Sequence, residues 1–126
     1  MPLPLLLHRL LTFGRSSEIR AIDYLRSLGY RIVTSGYRVS GGEIDVIAWD
    51  GEVLVFVEVK ARQNRERPED SVGFKKQRRM IRAAQAYLSK HHLQEVQYRF
   101  DIVAVTAVPG SKPEFRLLRD AFNMYN

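Results

Sequence analysis

The chain has 126 residues, 45% apolar and 27% charged, the balance of one globular domain rather than of wholesale disorder. Its 20 Lys and Arg outnumber 14 Asp and Glu, for a net charge of +6 and a pI near 9.9, which points to a polyanionic partner, nucleic acid before an acidic membrane surface. Cysteine is absent, so disulfides and thiolate metal sites are excluded and a cytoplasmic location is expected.

The opening MPLPLLLHRLLTF lacks a basic region ahead of its apolar run, and His8 and Arg9 interrupt it. It falls well short of the roughly 20 apolar residues of a membrane span. Residues 1–13 therefore read as a docking or self-association segment, and no membrane partner is expected. Ser16 and Ser17 are candidate caps for a helix running to about Leu28, with Ile19, Ile22, Leu25 and Leu28 as its apolar stripe and Gly29 as its stop.

YRIVTSGYRV (30–39) predicts a first strand, and Gly41-Gly42 a turn. EIDVIAWDGEVLVFVEVK (43–60) predicts two strands joined at Asp50-Gly51, a strong two-residue hairpin signal. That turn would pair Trp49 with Glu52, Asp45 with Phe56 and Glu43 with Glu58. One face would then carry Ile44, Val46, Ala48, Val53, Val55, Val57 and Val59, all core. The other would carry Glu43, Asp45, Glu58 and Lys60 at its open end, with Asp45 and Glu58 as diagonal neighbours. Clustered carboxylates resist joint ionisation, and a divalent cation relieves the repulsion. Oxygen ligands without cysteine suit Mg²⁺ or Mn²⁺. A solvated edge hairpin with a weak Glu58–Lys60 ion pair is the plainer alternative.

ARQNRERPEDS (61–71) is a polar loop, and residues 72–92 predict a long helix with Ile81, Ala84 and Leu88 inward and Met80, Ala83 and Tyr87 beside them. Residues 71–94 hold Lys75, Lys76, Arg78, Arg79, Arg82 and Lys90 and no acid. With Arg62 just upstream, they form a candidate patch for nucleic-acid phosphates. Gln77 is a candidate accessory residue near the site, and Glu43 another. His8, His91 and His92 have no metal or triad spacing and read as surface residues. VQYRFDIVAVTAV (96–108) predicts another strand, with Asp101 as a structural residue, either a buried partner of Arg or Lys or a strand-entry residue. EFRLL predicts a last short strand before a small terminal helix. The order α-β-β-β-α-β implies one domain, over 1–126, with a mixed sheet flanked by helices.

Asp45 followed after twelve residues by Glu58-Val59-Lys60 resembles the PD-(D/E)XK nuclease superfamily. GRSSEIRAIDYL, GGEIDVIAWDG, VFVEVKAR, the Lys76-containing helix with AAQAYL, and RFDIVAV together resemble an uncharacterised bacterial protein family, number 0102, related to archaeal Holliday-junction resolvases. The resemblance spans roughly residues 14–107 and implies a restriction-endonuclease-like core. It implies that Asp45 and Glu58 are metal ligands, that Lys60 is the catalytic lysine and that Glu18 is a further acid completing the site. Ile44 replaces the literal proline, Ser17 a usual glycine and Gly36 a usual asparagine, and none of these removes a ligand. The implied activity is Mg²⁺- or Mn²⁺-dependent hydrolysis of DNA, on branched or flapped structures, by a homodimer. The alternatives are a DNA-binding module of the same fold that cuts nothing, and an adaptor working through MPLPLLL.

Overall fold

A computed structural model describes residues 5–62, 72–107 and 109–124, with side chains from Ser16 onward. In chain order the elements are α1 (Leu5–Ser27), β1 (Arg31–Val39), β2 (Gly42–Asp50), β3 (Val53–Arg62), α2 (Phe74–Lys90), β4 (Tyr98–Thr106) and β5 (Glu114–Phe122). The five strands form one sheet in sequence order. Strands β1, β2 and β3 are antiparallel neighbours, β3 and β4 are parallel, and β5 returns antiparallel to β4. This is the expected mixed α/β sheet with the order α-β-β-β-α-β and one more strand. A parallel pair needs a crossover, and α2 lies in it.

The sheet carries a core on each face. Leu54 and Phe56 of β3 join Ile47, Phe100 and Ile102 under Met80, Ala84 and Leu88 of α2. Val55 and Val57, which alternate with them, join Val46, Ala48 and Val103 against Ala21 and Leu25 of α1. Strand β3 is thus buried on both faces, as a central strand flanked by crossover helices must be.

Four expectations need correction. Helix α1 is described from Leu5, so Ser16 and Ser17 lie inside it and cap nothing. Backbone helix thus covers residues 5–13 of the supposed docking segment, whose side chains lie outside the described residues. The buried line of α1 is Ser17, Ala21 and Leu25, while Ile19 is 54% exposed and Leu28 sits beyond the helix end, also exposed. Small residues let a helix approach a sheet closely, and counting bulky apolar positions overlooks them. Strand β5 runs through Phe122, and no helix follows it among the described residues.

The fourth correction concerns the hairpin. Asp50 pairs with Val53, and the loop is Gly51-Glu52. Gly51 has φ +62, and glycine first in a two-residue loop belongs to the type II′ turn, whereas Asp50-Gly51 would have made a type I′ turn. The pairs become Trp49 with Leu54 and Val46 with Val57. This register differs from the expected one by two residues, an even number, so every β3 side chain keeps its face. Ile44 does change sides: it joins the core under α2 while Val46 joins the one under α1. The β2–β3 ladder ends at Val46↔Val57, leaving Gly42–Asp45 held by β1 and leaning on α2.

Asp101 is the structural residue expected. It is fully buried and accepts hydrogen bonds from Arg99 Nε (2.9 Å), Arg99 Nη2 (3.0 Å), the Tyr30 hydroxyl (3.1 Å) and the Asp120 backbone N–H (2.9 Å). Arg99 also reaches Asp50 at 2.8 Å. The network ties the start of β4 to the β2–β3 turn and to β5.

Candidate functional site

The site forms where β2 leaves β3. Past Val46↔Val57, where the ladder ends, Asp45 and Glu58 stand on the two parting strands, near enough for Asp45 to act on the Glu58 carboxyl. The Asp45 carboxylate takes the place of a strand: its Oδ2 accepts the backbone N–H of Val59 at 2.8 Å. Glu58 is only 9% exposed, and its Oε2 is buried without a hydrogen-bond partner. Burial pushes the Glu58 carboxyl up to about 8, and the neighbouring Asp45 pushes the same way.

A cavity of about 310 Å³ opens onto this pair, lined by Asp45, Glu58, Val59, Ala61, Ser17 and Glu18. Glu18 reaches it because Ser17, one residue before, lies in the contact between α1 and the sheet. The three acids expected together therefore face one cavity. Lys60, two residues after Glu58 on β3, is half-buried and not among the lining residues.

A different lysine stands at the carboxylates. Lys76 Nζ lies 2.7 Å from Glu43 Oε1 and 3.5 Å from Glu58 Oε2. Burial pulls its pKa down, but the hydrogen bond to Glu43 and the charges of Glu58 and Asp45 outweigh that and raise it. The same hydrogen bond holds the Glu43 carboxyl below its usual range. Arg79 lies 3.6 Å from Glu43 as well. The balancing acids missing from α2 are thus supplied by β2 and β3; Lys76 is turned into the carboxylate cluster, while Arg79 reaches Glu43 and is still exposed. Sequence reasoning missed this because the pairing is tertiary; the signal available was the uniform basicity of α2.

Gly42 makes the contact. A Cβ there would fall 2.6 Å from the Arg79 carbonyl oxygen and 2.8 Å from the Ala83 nitrogen. Only glycine lets the α2 backbone lie so close to β2, and that approach brings Lys76 within reach of Glu43. Lys75, Arg78 and Arg82 remain exposed, Arg82 lying over Gly41 of the β1–β2 turn. Arg62 ends β3, half-buried, and its carbonyl accepts the Ala107 N–H at 2.8 Å. Gln77 does not turn to the acids: its Nε2 donates to the Val72 carbonyl at 2.6 Å. His91 and His92 are exposed.

Among the described residues no three His, Cys, Asp or Glu side chains close on one point as a ready metal cage. What the site offers is two neighbouring carboxylates, a buried Glu58 oxygen whose nearest cation is Lys76 at 3.5 Å, and open volume beside them. That donor set fits a hydrated Mg²⁺ or Mn²⁺, which keeps several waters and takes one or two carboxylates. No described helix is long and apolar enough to cross a membrane.

A model described as "Uncharacterised protein family UPF0102" matches residues 17–105, a span holding Glu18, Asp45, Glu58, Lys60 and Lys76. A UPF0102 protein of Symbiobacterium thermophilum is 42% identical over 112 residues, covering 87% of this chain and 95% of its own. One from Geotalea uraniireducens is 39% identical over 90% of this chain and 91% of its own. One from Persephonella marina is 42% identical over 73% and 81%.

Proposed function

The chain belongs to the uncharacterised protein family UPF0102, and from its carboxylate site we propose that it is a metal-dependent phosphodiesterase acting on DNA, on branched or flapped structures. The observation that carries this reading is the Asp45–Glu58 pair. Two neighbouring acids, one buried and pushed up to about 8, are costly to a fold that has no use for them. The resemblance of the Asp45, Glu58-Val59-Lys60 spacing to PD-(D/E)XK nucleases supports the same conclusion, and so does the excess of positive charge.

Asp45 and Glu58 would hold the cation, with Glu18 completing its surroundings from the far wall. A bound Mg²⁺ or Mn²⁺ supplies Lewis-acid polarisation of the phosphate and a water of lowered pKa. Lys60, two residues on along the same strand, would stabilise the charge that develops on the phosphate. Glu43 orients the Lys76 ammonium between the acids and the substrate side. The exposed Lys75, Arg78 and Arg82 bind the DNA backbone without regard to sequence.

A second reading rests on Lys76 itself. An ammonium 3.5 Å from Glu58 already offsets part of the carboxylate charge without a metal, as a DNA-binding module that cuts nothing would require. Cleavage of single-stranded, duplex, flapped and four-way-junction DNA with Mg²⁺ or Mn²⁺ separates the two. We expect the wild type to cut, and Glu58→Ala and Lys60→Ala to lose at least 100-fold in rate while still binding DNA. Salt-sensitive binding without cleavage on any substrate leaves the binding module; equal cleavage by all three proteins would expose a contaminant and sink the assignment of these residues.

A further inference from the structure

Phe74, the first residue of α2, is 71% exposed, more than any other large apolar side chain among the described residues. Scattered apolar residues on a surface need no explanation, but the setting of this one is specific. Its sequence neighbour Lys75 and its one-turn neighbour Arg78 are both exposed cations. No acid occurs anywhere in the helix. Lys76, two residues along and about 3 Å further up the helix axis, touches Glu43 and Glu58. Residues two apart on a helix point to different faces, so the phenyl ring shares the exposed face of Arg78, flanked by Lys75, rather than the face that Lys76 turns to the acids.

We propose that Phe74 is a stacking platform for an unpaired nucleobase, in a single strand whose phosphates lie on Lys75 and Arg78. This goes beyond the phosphodiesterase reading and does not depend on cleavage. Charge complementarity selects the occupant. An apolar patch on another protein would have to strip water from Lys75 and Arg78, and charged residues are depleted from the centres of protein interfaces for that reason. A nucleic-acid strand puts phosphates on the cations and a flat π face on the ring together. Paired bases inside a duplex keep their faces covered by stacking, so only a single strand, a flap or a frayed end presents one. Stacking of this kind tolerates any sequence.

The test uses the full chain with Ca²⁺ in place of Mg²⁺, and three labelled DNAs of common sequence: a single strand, a blunt duplex and a flap. Wild type is compared with Phe74→Ala, Phe74→Trp and Arg78→Ala, each checked by thermal melting. Phe74→Ala is expected to weaken binding to single strand and flap by about 5- to 100-fold and to leave the duplex within twofold. Phe74→Trp is expected to restore it. Arg78→Ala weakens all three alike and makes the salt dependence shallower. An equal effect of Phe74→Ala on all three DNAs, or none on any, overturns the proposal. So does conversion of a dimer to a monomer by Phe74→Ala with DNA binding unchanged, since the ring would then be covered by a second copy. A wild type that discriminates through Phe74 yet cuts nothing under Mg²⁺ or Mn²⁺ upholds the platform and removes the phosphodiesterase.

Discussion

Glu58 concentrates the tension of the site in one side chain. Its folded-state pKa is pushed up to about 8 by burial and then by Asp45, while the unfolded chain titrates near the ordinary 4.5. Between those values the folded state holds a proton that the unfolded state has released, so stability falls as pH rises. The contribution of Glu58 is fully present below about 4.5, is lost progressively as pH rises, and is gone above about 8. Glu43, held below its usual value by Lys76, acts with the opposite sign and only in the acid range. Glu58→Gln, which carries no charge to bury, is expected to flatten the neutral-range slope: melting temperatures at pH 5.5 and 8.5 should converge. A wild-type slope retained in the variant would place the effect elsewhere. A divalent cation favours the charged carboxylate, so Mn²⁺ should raise the wild-type melting temperature most at pH 8.5 and leave Glu58→Gln nearly unchanged.

Between elements, the decisive contact is Gly42 against the backbone of α2. With a Cβ 2.6 Å from a carbonyl oxygen, neither partner is a flexible side chain that can swing away. Gly42→Ala is expected to cost about 1–3 kcal/mol, the range of overpacking, and roughly 5–15 °C in melting temperature. Gly41→Ala meets only the mobile end of Arg82, though at a positive φ, and serves as the comparison. A Gly42→Ala protein as stable as wild type would show that α2 can retreat without loss. The element scale is also where sequence reading succeeded and failed most instructively. Strand alternation identified the faces of β3, and an even slip of the turn left them intact. Leu25 was expected in the core and is there; what escaped was anything set by approach rather than by period: Ser17 and Ala21 of α1, the switch of Ile44 to the α2 side, and Lys76 turned in to Glu43 and Glu58. Asp45 and Glu58 were legible because acids stand out in an otherwise aliphatic hairpin. Lys76 was not, because among five other helix cations nothing local marks it.

For the whole molecule, a net charge of +6 is distributed unevenly. Lys76 and Arg79 are engaged by Glu43, and Arg99 by Asp50 and Asp101. Arg79 stays exposed all the same, as do Lys75, Arg78, Arg82 and Lys90 of α2, and Lys75, Arg78 and Arg82 lie together within residues 74–82. Neutralising about three phosphates gives a slope of roughly −2 to −3 for log affinity against log salt. Titrations from 50 to 300 mM NaCl should show it, and Lys75→Ala with Arg78→Ala should reduce it by about two. A slope near zero would remove DNA from the list of partners.

The sheet's strand order has a consequence for how the chain acquires its shape. Strands β1, β2 and β3 meet through short turns and can zip in sequence, whereas β4 joins β3 only after everything from residue 63 to residue 97 has been gathered in. Loop-closure entropy places that pairing late. Asp45 and Glu58 lie in the early meander and Lys76 in the late crossover. During synthesis the two acids therefore leave the ribosome before the ammonium that moderates them.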